Sequence, residues 1–292
     1  MGKKKIPEEG IYDARELGAG RMFVLGFQHM FAMFGATVLV PILTGLDVST
    51  TLLFAGLGTL LFHLITGGIV PAFLGSSFAF LGGYATIAPM IDGQPNKEML
   101  PYACFGVACA GLVYVILSAL FKAFGAKKVM RFFPPIVVGP IIICIGLTLS
   151  SSAINNCNTN WLIALLAIAV VIICNIWGKG MIKIIPILLG FLVSYIVAAI
   201  CGEVDFTPVK EAAWIGLPFQ MQDTVIGLLS KPDLDTGLLV TSIFTIAPLS
   251  LATMVEHIGD ICAISSTCER NFITDPGLHR TLLGDGLATM VA

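Results

Sequence analysis

Two carboxylates stand where carboxylates are costly. In Pro248-Leu-Ser-Leu-Ala-Thr-Met-Val-Glu256-His257-Ile-Gly-Asp260, Glu256 and Asp260 are spaced i, i+4 inside an otherwise apolar run. On a helix that spacing puts both on one face, roughly 6 Å apart at Cβ. An ionised carboxylate at the centre of a bilayer costs at least about 2.5 to 3.5 kcal/mol, so such groups are expected to face a polar interior and act there. Two carboxyls this close and partly desolvated would titrate as a coupled pair, which is the profile of a proton carrier. The next basic residue, Arg270, lies about 15 Å of helix rise beyond Asp260, which argues against a headgroup position for the pair. His257, one position on from Glu256, points about 100° away and reads as a packing or hydrogen-bonding residue.

A second unusual stretch follows Pro71. Gly75-Ser76-Ser77-Phe78-Ala79-Phe80-Leu81-Gly82-Gly83 packs three glycines, two serines and two phenylalanines into nine residues, a poor recipe for a straight helix. Irregular backbone at membrane depth is tolerated only where protein buries it or it lines a cavity, and in transporters such breaks mark the substrate site. The same composition would also serve as a close-packing face between helices. Gln28-His29 is a polar pair in an apolar stretch, suited to hydrogen bonding between helices, and His63 reads the same way. Enzyme motifs do not survive inspection: Glu256-His257 is not H-E-x-x-H, and Gly56-Leu-Gly58 lacks the third glycine of a dinucleotide loop. The eight cysteines contain no C-x-x-C pair and mostly fall in apolar stretches, so they read as buried free thiols, with no metal site and no cofactor expected.

These residues need elements to hold them, and composition says which. The chain has 292 residues, 57% apolar and only 12% charged. Average soluble domains carry about 25% charge, so most of this exterior must face lipid. A formal net charge of -2 leaves no basic footprint for nucleic acid. Apolar runs recur at about 21–44, 51–68, 71–91, 101–124, 135–153, 160–177, 182–201 and 237–264, with a ninth beginning near Leu282. Each is near the roughly 20 residues a helix needs to cross the hydrocarbon core, and they are continuous rather than alternating, so the fold is an all-α polytopic membrane protein. Glu256 and Asp260 are read as the only carboxylates within a span.

The loop charges test that assignment. Lys3, Lys4, Lys5, Arg15, Arg21, Lys122, Lys127, Lys128, Arg131, Lys179, Lys183, Arg270 and Arg280 all fall on one side, while Lys97, Lys210 and Lys231 share the other with nine of the eighteen carboxylates. The positive-inside rule then makes the N-terminus cytoplasmic and the 202–236 loop external. The mixed polar stretch through Glu16 is unlike a removable signal peptide, so the first span is expected to direct insertion itself.

Four segments carry a family likeness. Gln28-His29-Met-Phe-Ala-Met-Phe-Gly-Ala-Thr-Val-Leu-Val-Pro41, Pro71-Ala-Phe-Leu-Gly-Ser-Ser-Phe78-Ala-Phe80, Glu256-His257-Ile-Gly and Asp275-Pro-Gly-Leu-His-Arg280 together resemble the bacterial uracil permeases of the nucleobase/ascorbate transporter family. The resemblance runs from about residue 18 to the end, in family order. It implies fourteen spans in two inverted seven-span repeats, with a core domain holding substrate and a gate domain beside it. On that scheme 1–20 is a cytoplasmic N-terminal segment, 21–124 is core with its break at 75–83, 125–201 is gate, 202–236 is the external loop, and 237–292 is core again. The first repeat is expected to be complete and the second barely begun, with truncation at the C-terminal end.

The resemblance further implies that Glu256 accepts hydrogen bonds from the N–H groups of the base. Ser77, Phe78 and Ala79 would supply backbone donors and an aromatic contact, and Gln28 and His29 would support the core. A pyrimidinedione alternates N–H donors with C=O acceptors, which a carboxylate and exposed backbone amides complement. The leading expectation is a proton-coupled importer of uracil in the cytoplasmic membrane, with Glu256 and Asp260 handling the coupling ion, H+. The last place of Glu256-His257-Ile-Gly-Asp260 resembles the purine-transporting branch instead, so a xanthine or other purine symporter is the runner-up. An anion exchanger or channel of similar fold is the rival of another class; it predicts basic or neutral groups where the two carboxylates stand. A homodimer is left open.

Overall fold

The computed structural model describes residues 14–91, 94–129, 131, 135–179, 181–211, 216–219, 224–230 and 233–291. Helices are the only regular structure among them beyond one isolated bridge, Ile91 to Gln94. The long ones are α1 (Ala19–Thr44), α2 (Val48–Thr66), α4 (Leu100–Phe124), α6 (Pro135–Cys157), α7 (Trp161–Trp177), α9 (Pro186–Ile200), α12 (Thr236–Ile246), α13 (Ser250–Thr267) and α14 (Leu278–Val291). Short helices α3 (Leu81–Ile87), α5 (Ala126–Val129), α8 (Met181–Ile184), α10 (Thr207–Glu211) and α11 (Val225–Leu229) lie between them.

Local chemistry sets the helix ends. Asp47 caps α2, its carboxylate accepting from the Thr50 N–H and the Thr50 hydroxyl, each at 2.7 Å. Gly67 ends α2 at φ 68°, a left-handed conformation that costs a residue without Cβ little. Asn160 and Asp235 cap α7 and α12 in the same way, each accepting from two backbone amides of the first turn. The eighth span, expected as one stretch, is α12 and α13 joined by a 3-10 turn at Ala247–Leu249 that contains Pro248. The ninth begins at Leu278, four residues earlier than its apolar run suggests.

The chain divides into two units. One takes residues up to Gly35 together with Leu147–Leu217; the other takes Ala36–Gly146 and Pro218–Ala292. In the first unit α7 packs on α9, with Gly190 close enough that an added Cβ would meet Val171 Cγ2 at 2.5 Å. In the second unit α4 is central, packed against α12, α13 and α14, while α14 also packs on α2. Two apolar clusters fill this unit. One is built around Phe62, Tyr114, Met254, Ile258, Phe272 and Leu282, the other around Phe80, Leu100, Tyr102, Ala110 and Ile246.

The outside of both units is apolar. Leu64, Ile136, Leu162, Ile200 and Phe244 are each at least 77% exposed. Among the described residues four helical passages, Val48–Thr66, Leu100–Phe124, Gly139–Cys157 and Thr236–Thr267, are long and apolar enough to cross a bilayer. Side chains this large and this exposed belong in hydrocarbon, where they carry no hydration cost. The same solvent explains a departure among the cysteines. The eight are free thiols, but only Cys174 is buried while Cys144 and Cys201 are exposed, because a small apolar thiol is as tolerable against lipid as against protein.

Candidate functional site

Of the stretch expected to break, 75–83, the part up to Ser77 is non-helical and Leu81–Gly83 are helical. Residues 71–77 run without helical structure into a single 3-10 turn, Phe78–Phe80, which leads directly into α3. Ser77 caps that turn: its Oγ accepts from the Ala79 N–H at 3.3 Å. The N–H of Phe78 has no acceptor among the described residues, as expected of the first residue of a turn. Of the three residues proposed to meet a ligand, Ala79 therefore has its amide already engaged, and Phe78 offers the open donor.

Two anchors hold the segment. Near its middle, Thr59 of α2 receives the Leu74 N–H at 3.1 Å, and its hydroxyl lies 2.8 Å from the Ala55 carbonyl oxygen and 3.2 Å from that of Leu74. At its end the Ser77 hydroxyl donates to Glu256 Oε2 across a long 3.5 Å, joining residues 179 apart in sequence. Replacing Thr59 with Val keeps the side-chain shape and removes both partners. The loss is expected to be about 1–3 kcal/mol, the usual cost of orphaning part-buried polar groups. Hydrogen exchange followed by mass spectrometry reads it directly: the Leu74 amide should exchange faster in T59V, and unchanged protection would show that the segment is held by something else.

Glu256 and Asp260 both lie on α13, and each is within electrostatic reach of the other's neighbourhood. Glu256 is half-buried beside Ser77, whereas Asp260 is exposed one turn further on. His257 is buried, as its different direction on the helix implies, and it is not idle. Its Nδ1 lies 2.8 Å from Oδ2 of Asp285 on α14, with the two side chains 8% and 18% exposed. Tyr114 of α4, 3% exposed, completes the cluster; its phenol is near Thr253 of α13 and within electrostatic reach of Asp285, Glu256 and Asp260. Gln28 and His29 lie on α1 in the other unit, Gln28 half-buried and His29 exposed.

Residues 20–292 match the Permease family. The chain belongs to that family. A uracil permease of Bacillus caldolyticus is 40% identical to it over 282 residues, covering 94% of this chain and 62% of that protein. The uracil permease of Bacillus subtilis is 37% identical over 306 residues, 100% of this chain and 66% of its own length. That of Escherichia coli K12 is 34% identical over 279 residues, 92% of this chain and 60% of its own. The chain thus spans between 60% and 66% of the length of these relatives.

Family membership and the apolar helices together make this a multi-pass membrane protein, and its relatives are permeases rather than enzymes. Within this chain the reading from sequence missed two residues that the geometry brings beside Glu256 and His257. Asp285 is a third carboxylate within a helix, set between Gly284 and Gly286 in α14. The signal was available: an aspartate flanked by glycines inside an apolar stretch marks a charge that a close neighbour must balance. Asp285 lies three residues into the ninth apolar run as read from Leu282, yet only Glu256 and Asp260 are read as carboxylates within a span. Tyr114 was concealed differently, since a tyrosine in an apolar helix looks like any core aromatic until its neighbours are known.

Proposed function

We propose that the complete protein imports uracil across the cytoplasmic membrane together with a proton. The observation that carries this reading is Glu256, an ionisable acceptor placed by α13 against the broken segment, where the Phe78 amide is an open donor. A carboxylate and a backbone N–H on facing elements match the alternating donors and acceptors of a pyrimidinedione. The relatives named uracil permeases support the substrate. A neutral base gains nothing from the membrane potential by itself, whereas a co-transported proton would supply about 2.3 kcal/mol per 100 mV. Asp260 and Glu256 are the carboxylates proposed to handle it. On the positive-inside rule the N-terminus is cytoplasmic and the 202–236 loop external.

Uptake of radiolabelled uracil by cells expressing the complete reading frame, with and without an uncoupler, tests the proposal. Accumulation that the uncoupler abolishes is the expected result; uptake indifferent to it would end the coupling claim. A second reading has one residue in its favour. Asp260 stands where the sequence resembles the purine-transporting branch, so competition by unlabelled xanthine belongs in the same assay. Stronger competition by xanthine than by uracil would move the substrate to the purines.

A further inference from the structure

We propose that His257 is the buried proton acceptor of the cluster, held for that task by Asp285; this rests on the proton-coupled reading above. Three observations converge. The His257 Nδ1 to Asp285 Oδ2 contact, 2.8 Å, crosses from α13 to α14 and is shielded on both sides. With Nδ1–H donating to that carboxylate, the tautomer is set and Nε2 carries the free lone pair. That Nε2 is buried and finds no partner among the described residues.

A residue present only to bond Asp285 would not need the second nitrogen. Leaving a buried acceptor unsatisfied costs about 1–3 kcal/mol. The arrangement is the one in which a carboxylate orients an imidazole by one nitrogen so that the other accepts a proton. The groups facing His257 support it. Glu256 and Asp260 lie on its own helix, Asp285 on α14, and the Tyr114 phenol on α4; none of them is cationic. A proton arriving at Nε2 forms an N–H bond and an imidazolium, and Asp285 faces that charge directly; departure of the proton restores the neutral ring and nothing else changes.

The assignment adds a buried acceptor to the two carboxylates proposed to handle the proton: His257 adjoins Glu256 in sequence and points to a different side of α13. Asp260, one turn on, is exposed where His257 is buried.

The complete protein in proteoliposomes provides the test, with His257→Asn as the first variant. The asparagine amide places an N–H near the Nδ1–H and keeps the bond to Asp285, but has no site for a proton. Uracil binding by H257N should stay within about threefold of wild type, and exchange of labelled for unlabelled uracil should continue. Accumulation driven by a pH gradient should fall more than tenfold, and the pH dependence of uptake should flatten. Asp285→Asn, which retains an acceptor for Nδ1–H and loses the charge, is the second variant and should weaken coupling in the same direction. Proton-driven accumulation and a pH profile unchanged in either variant would overturn the assignment, as would loss of binding in step with loss of accumulation, which marks a structural role. Failure of wild type itself to accumulate uracil under a pH gradient would instead overturn the transport reading.

Discussion

Glu256→Gln in the complete protein should weaken uracil binding by roughly 10- to 150-fold and remove measurable accumulation. The magnitude follows from the bond type. Hydrogen bonds to an ionised partner contribute about 1.5–3 kcal/mol, and each 1.4 kcal/mol is a factor of ten in Kd. Glutamine keeps the volume and one acceptor oxygen, so the helix should fold normally; it replaces the second oxygen with an NH2 group that faces the donors of the base with another donor. The Ser77 hydroxyl, now 3.5 Å from Oε2, would lose a charged acceptor as well. Equilibrium binding with purified protein, alongside uptake, distinguishes the causes. Binding near wild type in E256Q would remove Glu256 from the site, whatever happened to transport.

Gly111→Ala should destabilise the second unit by roughly 1–3 kcal/mol or more, the range for forcing extra volume into a packed contact. An added Cβ on Gly111 would come 2.6 Å from the Gly286 carbonyl oxygen and 2.6 Å from Met290 Cγ, and the backbone cannot swing aside as a flexible side chain would. The contact is reciprocal: a Cβ on Gly286 would meet that of Tyr114 at 2.6 Å. Nearby, Gly58 of α2 lies against Ala288 of α14, where a Cβ would stand 3.1 Å from the alanine's own. Close approach of this kind is how helices associate in lipid, where apolar side chains gain nothing by leaving hydrocarbon. The matched control is Gly56→Ala on α2, whose added methyl meets nothing within 4 Å. Because alanine is the better helix former by about 0.5–1 kcal/mol, that change should be neutral or stabilising. Thermal unfolding in detergent, followed by loss of monodisperse protein, should therefore shift in opposite directions for the two variants. Equal shifts would mean that α4 and α14 do not cross at these glycines.

The crossing matters for the site because Gly286 adjoins Asp285. Pushing α14 away from α4 would move the partner of His257 and the backbone packed on Tyr114 together. G111A is thus expected to reduce transport as well as stability, whereas E256Q reduces transport alone.

Much of the site was legible because it is local. The i, i+4 spacing of Glu256 and Asp260 puts them on one helix whatever that helix touches, and α13 carries both. The run from Gly75 to Gly83 opposes a straight helix by its own composition, and the backbone runs without helical structure up to Ser77 before its 3-10 turn. What was not legible is non-local. Nothing in the residues near Thr59 announces Leu74 as its partner, and nothing around His257 announces Asp285. Such pairs depend on which helices cross and at what height, and many apolar helices of similar length could cross in many ways.

Residue composition alone dictates that the solvent is lipid. With 12% charged residues in 292, the protein must expose apolar side chains, form helices to satisfy its backbone, and confine most charge to the loops. Each of those consequences follows segment by segment. Which buried charges meet is settled by the packing of the helices. The packing of α13 on α14 brings Asp285 to His257, the glycine crossing of α4 on α14 sets Tyr114 within electrostatic reach of three carboxylates, and Ser77 joins the broken segment to Glu256. The two differ because insertion depends on the average polarity of one segment, whereas a helix crossing depends on steric fit between particular faces.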